Sequence, residues 1–160
     1  RRGACIGGTS AGASAMSGHM LAKGEAVLEP EKGAVSLGTG LGLVRQVLID
    51  QHFSERHRLG RLLGAVAQNP CLLGVGIDED TALVVERGAG VEVLGAGAVT
   101  ILDCRHMQSN VAQADEHDSL ELVGVRLHLL PAGARHVLAG HAQGPLLDFV
   151  RRVTRCAAAD

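Results

Sequence analysis

Gly3-Ala4-Cys5-Ile6-Gly7-Gly8-Thr9-Ser10-Ala11-Gly12-Ala13 changes character twice in eleven residues, and that change decides the reading of the fold. Residues 3–7 are short and apolar, as a buried strand is. Gly7 and Gly8 then permit a tight turn. Residues 11–22 are helix formers and small residues, with Met16, Met20 and Leu21 at partly helical spacing. The first unit therefore reads strand, sharp turn, helix, a building block of layered α/β domains.

Moving outward, residues 23–45 are glycine-rich and broken by Pro30, with a short strand expected at 34–37. Val47-Leu48-Ile49 predicts a buried strand ending at Asp50-Gln51-His52. Ser54 is placed to cap a helix over 55–68, where Leu59, Leu62, Leu63 and Val66 repeat helically. Strands are expected at 71–77 and 81–86, around the acidic turn Asp78-Glu79-Asp80, and again at 91–94, 98–102 and 120–130. Leu146, Leu147, Val150 and Val153 predict a last helix over 144–156. The expected architecture is an α/β three-layer sandwich, with a mostly parallel sheet and an antiparallel C-terminal portion. Residues 1–160 read as a single domain without repeats or linkers.

Composition narrows the function classes. Hydrophobic residues make up 46% and charged residues 20% of 160 residues, a balance that supports a packed core. A formal net charge of −2 gives no general attraction to nucleic acid or anionic membrane, and two Phe with no Trp or Tyr disfavour base stacking. No apolar run reaches the roughly 20 residues of a membrane span. Cys5, Cys71, Cys104 and Cys156 contain no CxxC pair, so neither a zinc site nor a disulfide scaffold is expected. Reduced, mostly buried thiols and a cytoplasmic location are the expectation. The chain starts at Arg1 without an initiator Met, just ahead of the first strand. It is expected to be part of a longer protein, which leaves a leader on that protein open.

The chemistry-bearing pattern is Gly8-Thr9-Ser10-Ala11-Gly12, which fits G-x-S-x-G. A nucleophile on such a turn is exposed above the sheet, and flanking glycines keep bulk away from it. The Ala11 amide is then placed for an oxyanion. A serine hydroxyl needs a base to take its proton. Among eight histidines, His52 stands at the C-terminal end of a predicted strand, where sites of open α/β sheets gather. His19 falls on the predicted elbow helix and His57 on the helix after His52. His106, His117, His128, His136 and His141 read as surface or structural. An acid to orient the imidazole is sought between elbow and base, where Glu25 and Glu29 give the order Ser, Glu, His. The segment from Asp50 to Arg61 adds Arg56, Arg58 and Arg61, either a solvated helix face or a binding site for carboxylate or phosphate.

Gly8-Thr9-Ser10-Ala11-Gly12-Ala13 and Asp50-Gln51-His52-Phe53, with Arg56, Arg58, Leu59, Gly60 and Arg61, resemble the cyanophycinase and peptidase E family of serine peptidases. Gly74-Val75-Gly76-Ile77-Asp78-Glu79-Asp80-Thr81-Ala82-Leu83 is similar to the strand-turn-strand that follows in that family. The likeness runs from Arg1 to about Leu130 and covers the C-terminal part of the family domain. It implies a class I glutamine amidotransferase-like fold and a serine exopeptidase that releases β-aspartyl-arginine from cyanophycin, a multi-L-arginyl-poly-L-aspartate, through an acyl-enzyme. By position it implies Ser10 as nucleophile, His52 as base, and Glu25, with Glu29 behind it, as acid. Asp50, Gln51, Arg56, Arg58 and Arg61 fall at substrate-binding positions. No metal or organic cofactor is implied. The substrate is cyanophycin or an aspartyl peptide, and because the family contains dimers, a homodimer is one expectation. An α-aspartyl dipeptidase of the peptidase E type, or a non-catalytic truncated homologue, are the alternative readings. His57 departs from the family pattern, where a glycine is expected. Family members are also longer before Arg1, in a half expected to supply sheet strands and a further oxyanion donor.

Overall fold

The computed structural model describes residues 3–138 and 144–155. In chain order its elements are α1 (Ala11–Ala15), β1 (His19–Gly24), β2 (Val35–Thr39), β3 (Val47–Gln51), α2 (Leu59–Gln68), β4 (Leu73–Ile77), β5 (Thr81–Glu86) and β6 (Gly90–Gly95). There follow β7 (Ala98–Asp103), β8 (Gln108–Ser109), β9 (Leu122–Val123), β10 (Arg126–Pro131), β11 (Arg135–Val137) and α3 (Pro145–Thr154).

Strands covered on both faces are apolar at successive positions, and Val47, Leu48 and Ile49 are all buried. β3 pairs in parallel with β4 in a four-stranded sheet ordered β10-β7-β4-β3, whose other pairings are antiparallel. Side chains alternate between the faces. Val47, Ile49, Leu73, Val75, Val99 and Ile101 meet β6 and the Phe149, Val150 and Val153 stripe of α3. On the opposite face Leu48 and Leu102 meet Phe53 and the Leu62, Ala65 and Val66 stripe of α2, with the β1–β2 hairpin packed alongside. The result is an α/β arrangement of mixed sheets with layers on both faces of the four-stranded sheet. Its sheet corrects the expected one: among the described residues β3–β4 is the parallel strand pair, and the rest are antiparallel.

Four local expectations also change. Residues 3–7 are exposed and form no strand among the described residues. The helix expected over 11–22 stops at Ala15, because Ser17 Oγ turns back onto the Ser14 and His19 carbonyls and Gly18 follows. α2 begins at Leu59, after a run of turns in which His57 holds φ +50°, a conformation that glycine adopts without steric cost. Ser54 caps no helix and donates to Asp78 instead. The strand expected over 120–130 is split at Gly124, and Cys156 and His141 lie outside the described residues.

α2 also receives backbone directly. A Cβ at Gly60 would stand 2.3 Å from the Val27 carbonyl oxygen, and one at Gly64 would stand 2.7 Å from that of Glu31. The segment 27–31 therefore lies against a glycine-lined groove of the helix.

Arg105 joins β7 to α3. Its Nε and Nη2 donate to the two oxygens of Asp103 at 2.9 and 2.7 Å, and Nη2 also reaches Asp148 at 2.6 Å. The hydrogen bonds from Arg105, outweighing burial, hold the Asp103 carboxyl down at about 2 against an ordinary 3.8. A carboxyl depressed by folding contributes stability that is complete above its unfolded value and is lost as pH falls through its folded one. From about pH 4 to about pH 2 the protein is expected to lose about 2 kcal/mol that an Asp103→Asn variant does not lose. Urea midpoints at the two pH values check this, and an identical fall in both proteins would contradict it.

Candidate active site

Ser10 precedes α1 at φ +50° and ψ −124°, a backbone region that non-glycine residues occupy only when their surroundings dictate it. The turn is closed by Gly8, where a Cβ would stand 2.4 Å from the Gly12 carbonyl oxygen. Gly12 itself faces open space, so of the two motif glycines Gly8 alone is sterically required by the described residues. Ala11 is the first residue of α1, and its N–H is one of the donors a helix start leaves without an intrahelical acceptor.

The parallel pairing of β3 and β4 brings the ends of both strands to one end of the sheet. Gln51 is level with Ile77, and the Phe53 N–H donates to the Ile77 carbonyl at 3.1 Å. His52 follows β3 at φ +47°, and Glu79 lies in the turn after β4. Glu79 Oε1 is 2.7 Å from His52 Nδ1, and Ser10 Oγ is 2.9 Å from His52 Nε2. A carboxylate only accepts, so Nδ1 carries the imidazole proton and Nε2 is left to accept the Ser10 hydroxyl. Asp78 braces the pair. Its Oδ1 accepts the Ser54 N–H and hydroxyl, and its Oδ2 accepts the Ala98 N–H at 3.0 Å. One side chain thus ties the His52 turn, the Glu79 turn and β7 together.

The acid beside His52 is therefore Glu79, from the acidic turn, and the chain order is Ser, His, Glu. Glu25 is exposed just after β1 and makes no hydrogen bond or ion pair among the described residues. Glu29 accepts the Ser119 hydroxyl at 3.2 Å. His19 opens β1 and is exposed, off the elbow helix. Of the residues expected to bind substrate, Arg56 is exposed on the turn after His52. Asp50, Arg58 and Arg61 instead point inward, and the Asp50 carboxylate is buried against both guanidinium groups. Burial, more than the opposing pull of Asp50, lowers the pKa of Arg58 below its ordinary value. Gln51 Oε1 is buried without a partner among the described residues.

Cys104 is buried, and burial with Asp103 beside it pushes its thiol up to about 11. Cys5 and Cys71 are exposed, against the expectation of mostly buried thiols. Among the described residues no cluster of His, Cys, Asp or Glu could hold a metal, and no helix is long and apolar enough to cross a membrane.

The profile of Peptidase family S51 matches residues 1–93. A cyanophycinase of Trichormus variabilis is 43% identical over 150 residues, 93% of this chain and 49% of the relative. One of Geminocystis herdmanii is 43% identical over 132 residues, 82% of this chain and 48% of the relative. One of Synechococcus elongatus is 44% identical over 137 residues, 85% of this chain and 42% of the relative. The chain thus spans about half the length of the relatives it matches. With the match running through the elbow, the His52 turn and the Glu79 turn, the chain belongs to Peptidase family S51.

Proposed function

We propose that this chain carries the catalytic part of a serine exopeptidase that hydrolyses cyanophycin to β-aspartyl-arginine dipeptides. Ser10 Oγ attacks the carbonyl of the scissile aspartyl bond while His52 Nε2 takes its proton. Glu79 holds the imidazole in the required tautomer and stabilises the imidazolium that forms. The Ala11 N–H donates to the oxyanion. The imidazolium then protonates the leaving amine, and water, deprotonated by the same histidine, releases the acyl group from Ser10. The observation that carries this reading is the Ser10–His52–Glu79 chain, with contacts of 2.9 and 2.7 Å, starting from a serine held in a strained turn.

Substrate class follows from the relatives, each named cyanophycinase, and from Arg56, whose exposed guanidinium suits the free α-carboxylate of an isopeptide-linked arginine or of the polymer's C-terminus. The reading also assigns a class I glutamine amidotransferase-like architecture, which the layers on both faces of the mixed sheet support.

Incubation with cyanophycin, followed by mass spectrometry of the soluble products, is expected to yield β-aspartyl-arginine. A fluorophosphonate is expected to label Ser10, as read by peptide mapping. Labelling of Ser10 with hydrolysis of α-aspartyl dipeptides only would reassign the substrate. An unlabelled Ser10 would remove the mechanism.

A further inference from the structure

Asp50, Arg58 and Arg61 form a charged cluster inside the protein. The Asp50 side chain is 0% exposed, and those of Arg58 and Arg61 are 10% and 8% exposed. Asp50 Oδ2 accepts Arg61 Nε at 2.7 Å. Its Oδ1 accepts Arg61 Nη2, Arg58 Nη1 at 3.3 Å and the Gln51 N–H at 2.9 Å. Three donors crowd Oδ1 and one meets Oδ2, and with the side chain 0% exposed behind both guanidinium groups no surface is left for a substrate guanidinium to approach. Arg61 is committed through all three nitrogens, its Nη1 donating to the Gly24 carbonyl at 2.7 Å, while Arg58 acts through Nη1, which also donates to the Gln51 carbonyl, and its buried Nε has no partner among the described residues.

The contacts converge on the backbone that leads into the proposed base. The Gln51 N–H is held by Asp50 and the Gln51 carbonyl by Arg58, so both peptide units of the residue before His52 are fixed by one cluster. His52 next holds φ +47°, which costs a non-glycine residue energy unless its neighbours over-determine it. We propose that Asp50, Arg58 and Arg61 are positioning residues, a buried clamp that aims His52 at Ser10 and Glu79, and that they do not grip the substrate. The inference rests on the Ser10–His52–Glu79 reading.

The test uses two readouts that need no aspartyl or arginyl group. One is the rate at which a fluorophosphonate modifies Ser10, and the other is the low-field proton resonance of His52 Nδ1–H. In Asp50→Asn, phosphonylation is expected to slow about tenfold or more and the resonance to shift or broaden away. On peptide substrate, kcat should fall with KM within about twofold. Loss of one partner from a buried ion pair can unfold a protein, so Arg58→Lys is measured beside it. That variant keeps the charge and the Asp50–Arg61 pair, but its Nζ ends one bond short of the Nη1 through which Arg58 holds both Asp50 and the Gln51 carbonyl. It is expected to slow phosphonylation severalfold with the same spectral change. An unchanged rate and resonance in Arg58→Lys, or a raised KM with phosphonylation intact in either variant, would overturn the clamp while leaving the triad standing. A wild-type protein whose Ser10 takes no phosphonate would refute the triad and the clamp together.

Discussion

Glu79→Gln is expected to slow turnover of an aspartyl-arginine substrate about 10³-fold, while Glu25→Gln leaves it unchanged. The carboxylate of Glu79 can only accept, and it fixes the proton on His52 Nδ1. A glutamine amide in its place can donate to Nδ1 and drive the proton to Nε2, which then cannot take the hydrogen of Ser10. Glu79 is 47% exposed, so water replaces part of its electrostatic effect, and the loss stays below that of a fully buried acid. The rate of Ser10 phosphonylation should fall in parallel, which separates a catalytic defect from one of substrate binding. A loss in Glu25→Gln with none in Glu79→Gln would return the acid role to the residue after β1.

Gly8→Ala is expected to lower Ser10 reactivity about 10²-fold or more without unfolding the protein. Its Cβ would meet Gly12 O, Gly12 C and Ala13 N at 2.4, 2.6 and 2.9 Å, all backbone atoms of the elbow itself. The turn must open, and the serine hydroxyl moves with it. Gly12→Ala meets nothing within 4 Å, and it should keep reactivity with a small gain in stability, up to about 1 kcal/mol from helix propensity. Fluorophosphonate labelling rates with far-ultraviolet circular dichroism as a folding control decide between them. Equal losses in the two variants would show that the steric asymmetry of the motif is not what holds Ser10.

The positions of Ser10 and His52 were legible because local signals carry them: small residues around a turn, and a histidine directly after an apolar run. The strands β3 to β7 were legible for the same reason, since their branched and apolar residues cluster in short blocks. The contact of Glu79 with His52 has no such local signal, because order along the chain points to an acid between elbow and base. Adjacency in the sheet governs instead: β4 is the parallel neighbour of β3, so the turn after it lies beside the turn after β3. The burial of Arg58 and Arg61 is hidden in the sequence for a related reason. A charged run reads as a solvated or ligand-facing surface, yet Arg58, Arg61 and Ala65 are spaced to share the buried side of α2. The residue types gave no sign that a fully buried Asp50 waited for them. The early end of α1 turns on one hydroxyl, that of Ser17, which competes with the helix only once its neighbours are in place.

The level pairing of Gln51 with Ile77 makes the backbone ladder a gauge that sets the spacing of proton donor and acceptor. One step along a strand is about 3.3 Å, whereas the useful range of a hydrogen bond is about half an ångström. A single inserted or deleted residue in 78–80, or between β3 and Phe53, therefore exceeds the tolerance of the His52–Glu79 contact several times over. The turn at 87–89, between β5 and β6, carries no such constraint. Length variation among relatives of this chain should accumulate there and be absent beside the imidazole, so that indels alone would trace the reacting groups on a set of sequences whose side chains had diverged.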